Sequence, residues 1–234
     1  MSTRLAVLAS GRGSNLRALQ EYLARGERTT LAHLALVLSD HEDAGALAFA
    51  RSRDIAATAI DGGTLGGDRL LAQLRSHRID LVVLAGYMRL VPEVVVRAYR
   101  GRILNVHPAL LPGFGGRGMY GARVHAAVIA AGSRVSGATV HFVDERYDHG
   151  AIIAQWPVPV LSGDTPQALA ARVLRVEHAL YPPAIVAVAQ KRISLDESGR
   201  ATHMHLPRLD DAAFVLDSLD DAALRSAIGI ALSA

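Results

Sequence analysis

The chain contains no cysteine. That absence removes disulfides, thiolate nucleophiles and cysteine-ligated metals from consideration, and with them any need for an oxidising compartment. Aromatic residues make up only 5% of the chain, too few to suggest a base-stacking platform for single-stranded nucleic acid. No block of like charge occurs. The formal net charge of +3 comes mostly from arginines scattered over 234 residues, which suits small anionic ligands and does not resemble a nucleic-acid arm. Nor is there an apolar run of the roughly 20 residues that a membrane span needs. The apolar part of the opening MSTRLAVLAS is also too short for a signal-peptide core. The expectation is a cytoplasmic protein with no nucleic-acid or membrane partner. At 50% hydrophobic and 20% charged residues, the chain supports one sizeable core.

What is present begins with an apolar run, Leu5 to Ala9, that ends in Ser10-Gly11-Arg12-Gly13-Ser14-Asn15. After it Leu16, Leu19, Tyr22 and Leu23 recur at helical spacing, so the stretch reads as strand, glycine turn, helix. The first amides of a helix lack intrahelical partners and sit at the positive end of its dipole, and glycine lets them approach an anion closely. A phosphate suits such a turn. Dinucleotide binding fits less well, because Leu16 occupies the third glycine position of that fingerprint, although Asp40 stands where a ribose-binding acid would.

Further strands are expected at 31–38, 56–60, 80–85 and 102–106. Helices are expected at 43–53, at 68–77 and, with Pro92 in its first turn, as a short segment reaching about Tyr99. Continuous apolar strands alternating with helices indicate an α/β fold with a doubly wound, mostly parallel sheet covered on both faces. Gly62 to Gly67 reads as a flexible loop. A helix at 122–131 precedes strands at 136–143 and 151–160, which form an antiparallel hairpin at one edge; Pro157 and Pro159 suit an edge strand. Thr165 caps and Pro166 opens a long helix that presents Leu169, Val173, Leu174, Leu180 and Ile185 to the sheet. Pro182-Pro183 is expected to break or kink it. After a strand at 193–195, residues 196–234 form a C-terminal extension of a domain spanning 1–195, with a helix expected over 220–232.

The chemistry centres on Ile103-Leu104-Asn105-Val106-His107-Pro108, an apolar strand that carries an amide and an imidazole to its carboxyl end. Side chains two apart share a strand face, and proline then takes the chain out of the sheet. Ligands of open α/β sheets sit at that end, so Asn105 and His107 are expected to face one cavity opposite the Gly11–Asn15 turn. Taken alone, Asn-x-His also fits a strand cap beside a hydrogen-bonded core histidine.

Three readings compete for the polar residues. A metal centre of His107, His141 and Asp148 lacks any ligand spacing of helical type. A serine nucleophile at Ser10 or Ser14 lacks the G-x-S-x-G elbow. General acid–base work by His107, with a carboxylate from the turn 144–150 and the Asn105 amide, needs only residues already placed at loop ends.

Five motifs then stand in order along the chain: Ser10-Gly11-Arg12-Gly13-Ser14-Asn15; Leu84-Ala85-Gly86-Tyr87-Met88-Arg89; Asn105-Val106-His107-Pro108-Ala109-Leu110-Leu111-Pro112; His141-Phe142-Val143 with Tyr147-Asp148-His149-Gly150; and Glu177-His178-Ala179-Leu180-Tyr181-Pro182. Each is ordinary by itself. Together, and reaching to about Leu195, they resemble the phosphoribosylglycinamide formyltransferases, a folate-dependent formyltransferase family.

The resemblance implies a Rossmann-like formyltransferase fold and transfer of a formyl group from 10-formyltetrahydrofolate to the amine of 5'-phosphoribosylglycinamide, a step of purine biosynthesis. It implies Asn105, His107 and Asp148 as catalytic residues, and Gly13, Ser14, Asn15 and Glu177 as ribonucleotide contacts. Met88, Arg89, Leu90, Val91, Asn105, Asp144 and Tyr147 are implied at the folate. The resemblance further implies the folate as a co-substrate, with no tightly bound cofactor and no metal, and a monomer or homodimer is expected. Physical chemistry agrees. Attack of an amine on a formyl carbon puts negative charge on oxygen, and aimed donors stabilise it by ~3 kcal/mol each. A carboxylate such as Asp148 beside His107 favours the charged imidazole that donates best.

There are departures. Thr64 stands where some relatives carry an arginine thought to meet the folate tail, and the loop 113–121 is unusually rich in glycine. Rival readings are a formyltetrahydrofolate hydrolase, a formyltransferase for methionyl-tRNA, or a non-catalytic nucleotide-binding protein on the same scaffold. The hydrolase is expected to have an extra N-terminal domain, whereas strand one here begins almost at Met1. The tRNA enzyme is expected to have a C-terminal barrel, for which 196–234 is too short.

Overall fold

The computed structural model describes residues 2–60, 66–203 and 226. Residues 62–65, with Thr64, and all but Ser226 of the helix expected at 220–232 lie outside the described residues. The chain groups into two compact units. The first comprises the described residues of Met1–Asn105 with Val143–Glu145. It contains β1 (Thr3–Leu8), α1 (Ser14–Leu23), α2 (Arg28–Leu31), β2 (Ala32–Ser39), α3 (Gly45–Arg51), β3 (Ala56–Ala59), α4 (Gly66–Ser76), β4 (Leu81–Leu84), α5 (Glu93–Ala98) and the start of β5 (Ile103–His107). The second comprises Val106–Phe142 and the described residues from Arg146 onward. It contains the end of β5, then α6 (Ala122–Ala130), β6 (Val135–Phe142), β7 (Ile152–Pro159), α7 (Pro166–Ala189), β8 (Ile193–Leu195) and β9 (Ala201–His203).

Seven strands form one sheet in the order β3-β2-β1-β4-β5-β6-β7. β1 pairs in parallel with β2 and β4, as do β2 with β3 and β4 with β5, while β6 and β7 are antiparallel. The reversal of strand order on either side of β1 is the doubly wound arrangement expected, and β7 with its two prolines lies at the edge. Leu5 to Ala9 are at most 1% exposed, which is why this strand is apolar at every position and not at alternate ones. In the first unit Leu36, Leu38, Leu70, Leu74, Val82 and Val95 form a continuous buried cluster. In the second, α7 packs on α6, β6 and β7. There Val173, Val176, Leu180, Ala184 and Ile185 are fully buried.

Several expectations need correction. α7 runs unbroken through Pro182 and Pro183. Each proline removes an amide that would bond four residues back, a loss of order 3 kcal/mol. Burial of Leu180, Tyr181, Pro182, Ala184 and Ile185 holds the helix together across that gap. Pro92 stands at the start of α5 as its cap: ψ of 139° keeps it extended, and its carbonyl accepts from the Val95 and Val96 amides. Gly66 and Gly67 belong to α4, drawn into the helix by the apolar stripe Leu70, Leu71 and Leu74. The expected strand at 193–195 exists, but it pairs with an unanticipated β9 in a separate two-stranded sheet. The short α2 was also not anticipated, since four residues carry no period.

Candidate active site

His107 is the last residue of β5 and only 3% exposed. Its Nε2 donates to the Phe114 carbonyl at 2.7 Å, and its Nδ1 lies 3.4 Å from Asp148 Oδ2. A carbonyl and a carboxylate only accept, so the doubly protonated imidazolium satisfies both contacts at once. Asp148 follows β6 in a turn, with φ of 54°. Its Oδ2 also accepts from the Gly116 amide at 3.0 Å, and its Oδ1 lies 3.7 Å from His141 Nε2. Burial by itself raises this carboxyl's pKa. The hydrogen bond and charge of His107, the Gly116 amide and His141 together outweigh that and hold it below the ordinary carboxylate value.

The loop 113–121 thus reaches the pair through main-chain groups of both signs, a carbonyl on the imidazole and an amide on the carboxylate. Gly115 makes this approach available. A Cβ there would run into the Leu111 side chain and stand 3.1 Å from Asp148 Cβ. His141, fixed by donating Nδ1–H to the Phe142 carbonyl at 2.7 Å, completes the cluster that the sequence placed together only as an unfavoured metal set.

His125 was missed in the sequence. It lies on α6 and is 4% exposed, and burial first, then the charge of His107, push its pKa down to about 4. Its Nδ1 is buried with no partner among the described residues. A single histidine in Arg-Val-His-Ala-Ala shows only a core-facing position, so no sequence signal pointed to it.

In the first unit, β1 ends at the glycine turn as expected. Gly13 precedes α1 with φ of 75°, and a Cβ there would stand 3.0 Å from Ala46. No side chain caps α1, and its first turn carries no acidic residue, so no carboxylate opposes the positive end of its dipole. Ser14 is half-buried and Asn15 buried. After β4, the segment from Gly86 leaves Met88 and Leu90 exposed at 46% and 42%, whereas Val91 is buried in the core cluster. Arg89 and Leu90 help line a cavity of about 80 Å³ with Leu8, Leu38, Ile60 and Tyr87. Asp40, weighed in the sequence as a ribose-binding acid, instead accepts from Arg89 Nε at 2.9 Å.

Of the remaining candidates, Asn105 is half-buried on β5, two residues before His107 and so on the same strand face. Asp144 is half-buried and Tyr147 is 39% exposed. Glu177 is buried on α7.

A doubly wound α/β sheet with a histidine–carboxylate pair at a strand end defines a class of acid–base α/β proteins, and many chemistries share that plan. Comparison with known proteins narrows it. Residues 3–185 match the family described as Formyl transferase, and the chain belongs to that family. It is 43% identical over 204 residues to the chloroplastic phosphoribosylglycinamide formyltransferase of Arabidopsis thaliana, spanning 84% of this chain and 68% of that one. It is 36% identical over 187 residues to the phosphoribosylglycinamide formyltransferase of Bacillus subtilis, spanning 78% and 92%. Among solved structures, glycinamide ribonucleotide transformylase 1 from Symbiobacterium toebii superposes with a TM-score of 0.79 at 39% identity, covering 87% of this chain and 95% of that one. No described helix is long and apolar enough to cross a membrane.

Proposed function

We propose that the chain transfers the formyl group of 10-formyltetrahydrofolate to the amine of 5'-phosphoribosylglycinamide. One observation carries this reading beyond family membership: the buried His107–Asp148 pair, held at 3.4 Å and braced by the backbone of Phe114 and Gly116. The amine nitrogen attacks the formyl carbon, the bond to the folate nitrogen breaks, the amine loses a proton and the folate nitrogen gains one. Charge builds on the formyl oxygen in between. His107 as an imidazolium donates to that oxygen, with Asn105 as the second donor and Asp148 maintaining the charge on the ring. This role asks the formyl oxygen to replace the Phe114 carbonyl as acceptor of the Nε2 proton.

In the same reading Gly13, Ser14 and Asn15 hold the ribonucleotide phosphate at the uncapped start of α1, and Glu177 accepts from its ribose hydroxyls. Met88, Arg89 and Leu90 contact the folate, with Asp144, Tyr147 and Asn105, while Val91 supports them from the core. Holding two substrates together accounts for the remaining barrier lowering, and the step requires no metal or bound cofactor. A chain without cysteine fits a cytoplasmic enzyme.

The test is turnover of purified protein with both substrates, following formylated ribonucleotide and free tetrahydrofolate together. Consumption of the folate that depends on the ribonucleotide supports the proposal. Consumption without it identifies a hydrolase, and binding without consumption identifies a non-catalytic protein; either result overturns the reading.

A further inference from the structure

The glycine turn after β1 and the segment after β4 are fastened to each other through one residue, Ser10. The β1–β4 ladder continues past both strand ends, since Ala85 N–H donates to the Leu8 carbonyl at 2.8 Å and Ser10 N–H to the Gly86 carbonyl at 3.1 Å. At Gly86, φ of 72° turns the chain out of the extended conformation, a step L side chains resist. The chain then comes back over β1, and the Met88 amide donates to Ser10 Oγ at 3.0 Å. Ser10 therefore holds the segment twice, by its own amide and by its hydroxyl. One residue further on, Arg89 Nε binds Asp40 just beyond β2. On its other side Ser10 leads directly into the turn, which is itself packed on α3: Ala46 N–H donates to the Gly11 carbonyl at 3.1 Å, and Gly13 abuts Ala46.

We propose that Ser10 is a positioning residue that transmits occupancy of the anion-binding turn to the Met88–Leu90 segment, so that phosphate bound at one is felt at the other. The proposal rests on the functional reading above for the identity of the two ligands, though not for the existence of the link. The Ser10 hydroxyl touches no substrate in this account. It acts by fixing the Met88 amide, and a residue that cannot accept a hydrogen bond there frees that amide while the Ser10 N–H still holds the Gly86 carbonyl. A neutral hydrogen bond of ordinary net strength corresponds to about a fivefold change in an equilibrium.

The experiment uses the whole chain and Ser10→Ala and Ser10→Thr variants. Amide exchange at Met88 is measured with and without ribose 5-phosphate, a probe for the turn alone. Slower exchange on adding the probe is expected in the wild type and in Ser10→Thr, and not in Ser10→Ala. In turnover, Ser10→Ala is expected to raise the KM for 10-formyltetrahydrofolate about fivefold with little change in kcat, and Ser10→Thr to restore it. A Ser10→Ala protein whose Met88 amide still responds to the probe overturns the proposal, as does a Ser10→Thr protein that behaves like Ser10→Ala. A wild type that shows the exchange response but no formyl transfer leaves the link standing and sinks the functional reading instead.

Discussion

His125 offers a test of the site's burial and electrostatics that needs no substrate. The folded protein lowers its pKa from 6.5 to about 4, because it is buried on α6 and feels the charge of His107. The unfolded chain takes up this proton below about pH 6.5, while the folded chain refuses it until about pH 4. Stability from this group is therefore fully present above pH 6.5 and is lost as pH falls through that window. At 1.36 kcal/mol per unit the loss is about 3 kcal/mol. His125→Phe fills a similar volume and cannot titrate. Urea unfolding of wild type and variant at about pH 7.5 and about pH 4.5 should show the wild type falling by about 2.5 kcal/mol more than the variant, most of the full loss. Most other titrating groups cancel in that difference. Parallel losses in the two proteins would show that His125 is protonated in the fold at pH 4.5 and would refute the reasoning.

Gly13→Val places a branched residue at φ of 75°, with its Cβ against Ala46. It should raise the KM for the ribonucleotide at least ~10-fold while leaving that for the folate within ~2-fold, because the proposed function puts the phosphate at this turn; equal effects on both would contradict the assignment. Gly115→Ala drives a methyl into Leu111 and against Asp148. It should cost ~1–3 kcal/mol in urea unfolding and lower kcat by displacing the Phe114 and Gly116 contacts, and an unaltered variant would show that the loop does not brace the pair.

Much of this was legible in the sequence because it depends on local pattern. Leu5 to Ala9 running into a glycine turn, Thr165-Pro166 opening a helix, and His107 before Pro108 each carry their own structural signal. The hairpin at the sheet edge followed from Pro157 and Pro159. Other features depend on partners distant in sequence, which pattern does not report. Pro182-Pro183 is a helix breaker by propensity, and only burial on both sides of it keeps α7 whole. Phe114 and Gly116 act through main-chain atoms, so their side chains gave no hint of contact with His107 and Asp148. Ser10 carries no local signal beyond the glycine turn it opens, and its bond to Met88 spans 78 positions. Asp40 looked like a ligand acid until Arg89, far along the chain, was found to occupy it.

The central claim is that a carboxylate-braced imidazolium donates to the formyl oxygen. The most direct measurement is steady-state turnover of Asp148→Asn against the wild type near neutral pH, where the lowered pKa of Asp148 keeps the native carboxylate fully charged. The amide retains an acceptor for Gly116 but removes the charge opposite His107. The account predicts kcat reduced by ~10²-fold or more, with both KM values within ~3-fold of the wild type, since the lost interaction belongs to the transition state. A variant with unchanged kcat, or with the loss confined to KM, would contradict it.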